Sequence, residues 1–220
     1  MPEPIILASQ SPRRRQLLEW AEVSFDVVVP VTDESYPASL PVLDVPVHIA
    51  RAKALAVQGL LSSPASLPAS LRVFAGADVS ATEMSSFLAG VRRRIILAAD
   101  TVVVLGDEVI GKPRDRDDAI AILGRLSGRE HQVITGVCCR RGDKEVSFAD
   151  VTRVFFHPLT EAQITFYVDK YRPYDKAGAY AIQEWIGVVG IKSVEGDFYN
   201  VMGLPVSRVV RTLGEWGGSI

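Results

Sequence analysis

The apolar positions of this chain recur with two different periods, and segments of the two kinds alternate. Short apolar runs predict strands at Ile5–Ala8, Phe25–Pro30, Ile95–Leu105, Gln132–Arg140 and Val146–Phe156. Helical spacing predicts helices at Ser11–Ala21, Val47–Leu61, Arg116–Leu126, Thr160–Tyr171 and Pro205–Leu213. This alternation is typical of an α/β protein. The last two strands flank a short polar turn, which predicts an antiparallel hairpin and so a mixed, twisted sheet flanked by helices.

One segment, Ser62–Arg94, departs from this pattern. It is rich in alanine and serine, contains Pro64, Pro68, Gly76 and Gly90, and shows no sustained period. We expect an insertion or a long mobile loop there. At 220 residues the chain is long enough for one large domain or two small lobes.

Composition narrows the class of protein. Hydrophobic residues make up 48% of the chain and charged residues 23%, as in a globular protein, and the net charge is −2. That charge argues against a broad surface for nucleic acid or membrane, so a basic site must be local. The adjacent Cys138 and Cys139 are expected to face opposite sides of a strand. The chain lacks a signal-peptide pattern and an apolar run of membrane-spanning length, and we expect a cytoplasmic protein.

The first strand is followed by "ASQSPRRRQLL", which places three arginines at a helix start. Ser11 suits the N-cap and Pro12 the first helical position, so Arg13–Arg15 fall in the first turn. Cations are disfavoured there by the helix dipole. Free backbone N–H groups together with arginine side chains predict an anion site, most naturally for phosphate; the alternative is a solvated basic helix start.

Carboxylates with candidate chemistry occur in two stretches. In "AADTVVVLGDEVIGKPRD", Asp100 lies in an apolar strand and needs a cation, a metal or hydrogen bonds. A hairpin turn at Gly106 and Asp107 would return Lys112 to its neighbourhood, as a phosphate-binding cation or as a structural ion pair. Glu34, in the polar segment "VTDESYP", could join Asp100, since Mg²⁺ binds one or two carboxylates and substrate phosphates.

Two further side chains stand out. Lys53 lies on a helix whose core face we assign to Ile49, Ala52 and Ala56, which leaves the lysine beside that face. Gln183 interrupts an apolar run and is expected to be a buried amide, paired with a nucleobase edge or with backbone groups.

In this order the motifs resemble the Maf family of nucleotide pyrophosphatases. The matching stretches are "ASQSPRRRQLL", "DES", "ARAKA", "AADTVVV", "GKPRD", "LSGREHQVITGV", "DKAGAYAIQ" and "NVMGLP". The resemblance implies an inosine-triphosphate-pyrophosphatase-like fold, with a single domain of two lobes and a central substrate cleft. It also implies cleavage of nucleoside triphosphates to the monophosphate and pyrophosphate with a divalent metal, Mg²⁺ or Mn²⁺. "AYAIQ" is similar to the subgroup acting on dTTP and UTP, whereas bulky Trp185 departs from the smaller residues common in relatives.

The same resemblance assigns roles to individual residues. Asp100 is implied as the general base, and the specificity positions are Arg13, Thr101 and Gln183. Charged family positions around the phosphates and metal match Arg14, Glu34, Lys53 and Lys112. We expect triphosphate oxygens to contact the Ser9–Arg14 turn and both lysines, and the metal to bind Glu34 and Asp100. Arg15 is expected to be a solvated charge.

The sequence also allows two other functions. The chain could be a nucleotide-binding regulator of cell division, which would need the anion site but no carboxylate–metal pair. It could also be a pyrophosphatase for modified purine nucleotides on the same scaffold. In every case the expected partner is a small nucleotide and not a nucleic-acid polymer or a membrane. A homodimer is implied by resemblance only.

Overall fold

The structure is a computed structural model that describes residues 3–62 and 81–216. Its strands are β1 (Ile5–Leu7), β2 (Phe25–Val27), β3 (Ile96–Leu105), β4 (Glu108–Ile110), β5 (Glu130–Arg141), β6 (Lys144–Phe156) and β7 (Ile191–Glu195). Its α-helices are α1 (Pro12–Trp20), α2 (Val45–Leu60), α3 (Ala81–Arg93), α4 (Arg116–Leu126), α5 (Glu161–Tyr171), α6 (Trp185–Gly190), α7 (Phe198–Met202) and α8 (Val206–Glu215). A short 3₁₀ turn spans Ala177–Ala179.

The seven strands form one mixed sheet with the order β2-β1-β3-β5-β6-β7, and β4 pairs with β3 beside this path. β1 runs parallel to β2 and β3, whereas the remaining pairs are antiparallel. The α/β class, the mixed sheet and the long β5–β6 hairpin are therefore confirmed. The hairpin turns at Gly142, whose φ of 59° is the left-handed conformation that glycine adopts without strain.

One edge of β3 is shared by two partners with a gap between them. β1 pairs with Ile96 and Leu97 at the start of β3, and β4 pairs with its last three residues from Val103 onward. β5 occupies the opposite edge throughout. Asp100 and Thr101 therefore lie where the sheet opens, and a divergence of strands is a common place for a ligand cleft.

Helices cover both faces of the sheet. α2 and α3 pack on one face against β1 and β3, through residues such as Ala54, Val57 and Leu88. The larger core on the other face includes residues of α1, α4, α5 and α8. Side chains alternate along β3, so Asp100 faces α2 and Thr101 faces α1. Cys138 and Cys139 are buried in the two opposite cores, as expected.

Two sequence expectations need correction here. Residues 81–93 of the expected loop form helix α3, whose Leu88 and Val91 pack on the sheet. The sequence analysis overlooked the helical spacing of Met84, Phe87, Leu88 and Val91, which is confined to the end of a segment rich in alanine and serine. The rest of that loop, residues 63–80, lies outside the described residues. The buried face of α2 contains Ile49 as expected, but its other members are Ala50, Ala54 and Val57, with Ala52 and Ala56 only partly buried.

The expected elements are otherwise present, and α6, β7 and α7 are additions that the apolar pattern did not indicate. None of the described helices combines the length and apolar character needed to cross a membrane.

Candidate active site

A cleft of about 650 Å³ opens at the gap beside β3. Its volume is in the usual range for a small-molecule site. Every site residue expected from the sequence lines it: Ser9, Arg13, Arg14, Glu34, Lys53, Asp100, Thr101, Lys112 and Gln183. The structure therefore brings together residues that are up to 174 positions apart in the chain.

The β1–α1 turn forms one wall of the cleft. Ser11 has the extended backbone of an N-cap residue, and Pro12 follows as the first helical residue, both as expected. The Ser11 side chain makes no capping bond; its backbone N–H donates to Ser9 Oγ at 3.2 Å. Ser9 Oγ also accepts from Arg14, so its own O–H proton has no acceptor among the residues described and can be donated to a ligand.

The Arg14 guanidinium is buried, with 8% of the residue exposed, and its hydrogen-bond partners among the described residues are all neutral. Its nitrogens donate to Gly203 O at 2.8 Å, Thr101 Oγ1 at 3.0 Å and Ser9 Oγ at 3.2 Å. Burial lowers the pKa of Arg14, an effect that the nearby Asp100 carboxylate opposes. A buried cation held only by neutral acceptors is short of negative charge, and a bound anion would supply it.

Lys53 joins two carboxylates on the opposite wall. Its Nζ lies 2.7 Å from Asp100 Oδ1 and 2.8 Å from Glu34 Oε1, and only 12% of its side chain is exposed. The hydrogen bond from Lys53 lowers the pKa of Glu34 against the effect of burial, and the charges of Lys53, Lys112 and Arg14 add to the lowering. Lys53 is thus not a surface lysine, and both candidate metal ligands converge on it.

The hairpin return places Lys112 in the same cleft as Asp100, as the turn at Gly106 predicts. Lys112 is exposed and close enough to Glu34 for its charge to lower that pKa. It makes no ion pair with Asp100 in the part of the chain that the structure describes, where Lys53 takes that place. The interpretation of Lys112 and Asp100 as a structural ion pair is therefore wrong.

The third wall contains two charged residues that the sequence analysis did not assign, Asp175 and Lys176. Asp175 Oδ2 lies 3.4 Å from Arg13 NH1, and its Oδ1 lies 2.8 Å from Lys176 Nζ. Both stand in the quoted stretch "DKAGAYAIQ", so the motif was the available signal. The motif could not predict that Asp175 contacts Arg13 on α1, because these two residues are 162 positions apart.

Two side chains differ from expectation. Gln183 is exposed in a turn at the rim of the cleft, whereas its apolar neighbours suggested a buried amide. Its amide makes no hydrogen bond to any described residue, so both donor and acceptor face outward. Arg15 is half-buried with a buried Nε that has no partner among the described residues, which corrects its reading as a fully solvated charge.

The donor set of the cleft suits a metal that arrives with phosphate. No group of three or more His, Cys, Asp and Glu side chains placed to hold a metal exists within residues 3–62 and 81–216. Glu34 and Asp100 supply two carboxylates, and Mg²⁺ characteristically combines one or two carboxylates with water and substrate phosphate oxygens. The residues present therefore fit such an ion.

Comparison with known proteins identifies the family of this chain. The family model described as "Maf-like protein" matches residues 4–216. A relative from Cytophaga hutchinsonii, named dTTP/UTP pyrophosphatase, is 44% identical over 95% of this chain and 82% of its own. Relatives with the same name from Parabacteroides distasonis and Porphyromonas gingivalis are 41% and 40% identical, over 95% and 98% of this chain and 94% and 95% of theirs. The resemblance seen in the motifs is thus confirmed over nearly the whole chain, which belongs to the Maf-like protein family.

Proposed function

We propose that this chain hydrolyses nucleoside triphosphates, with dTTP and UTP favoured, to the nucleoside monophosphate and pyrophosphate. Its relatives named dTTP/UTP pyrophosphatase support this substrate class. One observation carries the proposal. Lys53 contacts both Asp100 and Glu34 in the cleft that also contains the buried Arg14.

The charge of the cleft supports a polyanionic ligand. Five basic side chains line it, Arg13, Arg14, Lys53, Lys112 and Lys176, against three carboxylates, Glu34, Asp100 and Asp175. The cleft is therefore net positive in a chain whose net charge is −2. A local excess of this sign concentrates an anionic substrate without a basic surface elsewhere.

The phosphate chain is proposed to lie between the β1–α1 turn and the two lysines. Ser9 would donate its free hydroxyl proton to a phosphate oxygen, and Arg14 would supply charge from behind the turn. Lys53 and Lys112 would neutralise oxygens on the opposite side. Because Ser9, Arg14 and Lys53 are already held by protein contacts, they need little rearrangement as charge develops on the leaving pyrophosphate.

Asp100 is proposed to accept a proton from the water that attacks the α-phosphorus, while the bond to the bridging oxygen breaks and pyrophosphate leaves. Lys53 holds Oδ1 of Asp100, and Oδ2 receives no hydrogen bond from the described part of the chain. One carboxylate oxygen is thus fixed while the other can face the water. A divalent cation bound by Glu34, Asp100 and phosphate oxygens would lower the pKa of water and neutralise phosphate charge.

Base selection is proposed to rest on the part of the cleft lined by Gln183. Gln183 presents an amide donor and acceptor, which match the edge of a pyrimidine, and Arg13 lies on the same rim. Thr101 would act indirectly, since its hydroxyl accepts from Arg14 and contacts Thr135 Oγ1 at 2.9 Å.

A panel of nucleoside triphosphates, each with Mg²⁺ or Mn²⁺ and without added metal, tests the proposal by release of pyrophosphate. We expect fastest release from dTTP and UTP, and none without metal. Preference for modified purine triphosphates would move the chain to the alternative substrate class. Nucleotide binding without pyrophosphate release from any member would favour the regulatory alternative and contradict the proposal.

Asp100→Asn tests the general base. Asparagine keeps the side-chain shape but cannot accept the proton, so turnover should fall by roughly 100- to 10,000-fold while nucleotide binding persists. Asp107→Asn, an equal loss of charge at the exposed turn of the same hairpin, is the matched control and should keep wild-type turnover. Pyrophosphate release and calorimetric binding measure both quantities. Full activity of Asp100→Asn would remove this role.

Three expectations accompany the proposal as predictions of their own: action in the cytoplasm, removal of unwanted nucleotides from the pool, and assembly as a homodimer. Fractionation, nucleotide measurements in a deletion strain and light scattering test them respectively.

A further inference from the structure

Helix α5 contacts the turn that carries Gln183 at two neighbouring residues. The Tyr167 hydroxyl accepts a hydrogen bond from Ala181 N at 3.2 Å and donates one to the Glu184 carboxylate. Phe166 packs edge-on against Trp185, with ring centroids 4.9 Å apart. The helix therefore holds the chain on both sides of Gln183.

The held segment is itself compact. Glu184 N donates to Ala181 O at 3.1 Å, and Gly187 N donates to Glu184 O at 2.9 Å. A side chain at Gly187 would place its Cβ 1.7 Å from Ile182 O, so the backbone here closes tightly on itself. A turn of this kind moves as one unit, and whatever anchors Glu184 also fixes Gln183.

Tyr167 is well suited to be such an anchor. It is fully buried, and its ring stacks on Tyr171 at a centroid distance of 5.0 Å. Burial and the adjacent Glu184 carboxylate both raise the pKa of Tyr167, so the hydroxyl stays protonated and remains a donor. Glu184 occupies the N-cap position of α6 yet makes no capping bond, because its side chain is directed to Tyr167 instead.

Ionic contacts continue from this anchor to the other side of the cleft. Glu184 Oε1 lies 3.7 Å from Lys176 Nζ, and Lys176 lies 2.8 Å from Asp175. Asp175 then reaches Arg13 on α1 at 3.4 Å. A chain of contacts thus connects the Gln183 turn with Arg13, the two rim residues to which base selection is attributed above.

We propose that Tyr167 and Glu184 are positioning residues for base selection, which hold the Gln183 turn at a fixed place relative to Arg13. This inference rests on the proposed function. Neither side chain needs to touch the substrate: Tyr167 is buried beneath the turn, and Glu184 faces it. The bulky Trp185, which follows Glu184, is proposed to position the same turn, since its ring packs on Phe166 of α5.

Tyr167→Phe is the most direct test. It removes one hydroxyl, keeps the ring packing and leaves Ala181 N and Glu184 without their partner. The ratio of kcat/KM for dTTP or UTP to that for purine triphosphates should fall by roughly five- to tenfold, which corresponds to about one buried hydrogen bond. Gln183→Ala, which removes the amide itself, shows how much selectivity is lost when Gln183 makes no contact with the base.

Tyr171→Phe is the matched control. Tyr171 lies on the same helix, stacks on the same ring, and its hydroxyl makes no hydrogen bond within residues 3–62 and 81–216. Its selectivity ratio should equal that of the wild type. A purely structural role of the Tyr167 hydroxyl would lower the melting temperature of Tyr167→Phe and leave its selectivity ratio unchanged.

Variants at Glu184 test the pair as a unit. Glu184→Ala should also lower selectivity, and combining it with Tyr167→Phe should cost less than the sum of the two single losses, because both changes break the Tyr167–Glu184 bond. Glu184→Gln retains an acceptor for the Tyr167 hydroxyl and should restore most of the selectivity. Should Tyr167→Phe fail to fold, the two Glu184 variants carry the test alone.

The outcomes separate this inference from the function on which it rests. If the wild type releases no pyrophosphate from pyrimidine triphosphates, the proposed function fails. If the wild type is active and selective, but Tyr167→Phe and Glu184→Ala keep its selectivity or lose it additively, only the positioning role is overturned.

Discussion

Among single residues, Arg14 shows most clearly how the sequence pattern and the chemistry are connected. A cation in the first turn of a helix is repelled by the helix dipole, and burial of its guanidinium adds to that penalty. Its acceptors, Ser9 Oγ, Thr101 Oγ1 and Gly203 O, come from three separate segments of the chain. This arrangement is unfavourable without a ligand. A bound polyanion would offset both the repulsion by the dipole and the cost of burial, as expected of a substrate-binding site.

Arg14→Lys should therefore be far from conservative. A lysine ammonium cannot reach three diverging acceptors at once, and the lost donors leave buried oxygens unpaired. We expect kcat/KM to fall roughly a hundredfold. Arg15→Lys, the same change one position along, should alter kcat/KM by no more than about twofold, since Arg15 does not line the cleft. Equal effects of the two substitutions on pyrophosphate release would contradict the distinction.

Among the elements, α2 places Lys53 by an unusually close approach to the sheet. The start of α2, at Pro46 and Val47, lies directly over Gly136 of β5. Gly136 pairs with Asp100 on the neighbouring strand, so the closest approach of helix and sheet occurs beside the candidate base. The absence of a side chain at Gly136 permits this close approach of α2, the helix from which Lys53 contacts Asp100.

Gly136→Ala should displace α2. The new Cβ would lie 2.2 Å from backbone atoms of Pro46 and Val47, which cannot yield as a flexible side chain would. We expect a loss of at least about 2 kcal/mol in the free energy of unfolding, together with a large loss of turnover.

Gly124→Ala is the control for that substitution. Gly124 lies on the exposed face of α4 with open space around it, and alanine there should stabilise the fold by up to about 1 kcal/mol. Urea unfolding measures both variants, and a stable, active Gly136→Ala enzyme would contradict the role given to this contact.

The same helix shows which features the sequence could predict. Its existence and the lysine on it followed from the pattern, but apolar residues occupy so many positions from Ile49 to Val57 that several faces would have been acceptable as the buried one. Gln183 was misplaced for a related reason, because apolar neighbours predict burial of a segment and cannot show that one residue turns outward. The β1–α1 turn and the hairpin at Gly106 were predictable since local chemistry alone determines them.

For the whole molecule, the distribution of charge and burial sets the response to pH. His131 lies under the cleft wall, 1% exposed, with Nε2 hydrogen-bonded to the Tyr180 hydroxyl at 2.7 Å and Phe156 packed edge-on. Its Nδ1 is buried without a partner among the described residues. Burial lowers the pKa of His131 to about 4, and the Glu130 carboxylate only partly opposes this. Tyr180 lines the cleft, so the histidine connects the core to the site.

Acid should therefore destabilise the fold through this residue. In the unfolded chain the His131 pKa returns to about 6.5, so between that value and about 4 the unfolded state binds a proton that the folded state does not. This contribution to stability is complete above pH 6.5, is lost progressively as the pH falls toward 4, and is worth about 2 kcal/mol between pH 7 and pH 5.

His131→Gln keeps a polar partner for Tyr180 but cannot titrate, so its difference in unfolding free energy between these two pH values should be smaller by that amount. His157→Gln, at an exposed histidine, should retain the wild-type difference, and an unchanged difference in His131→Gln would show that other groups determine the acid sensitivity.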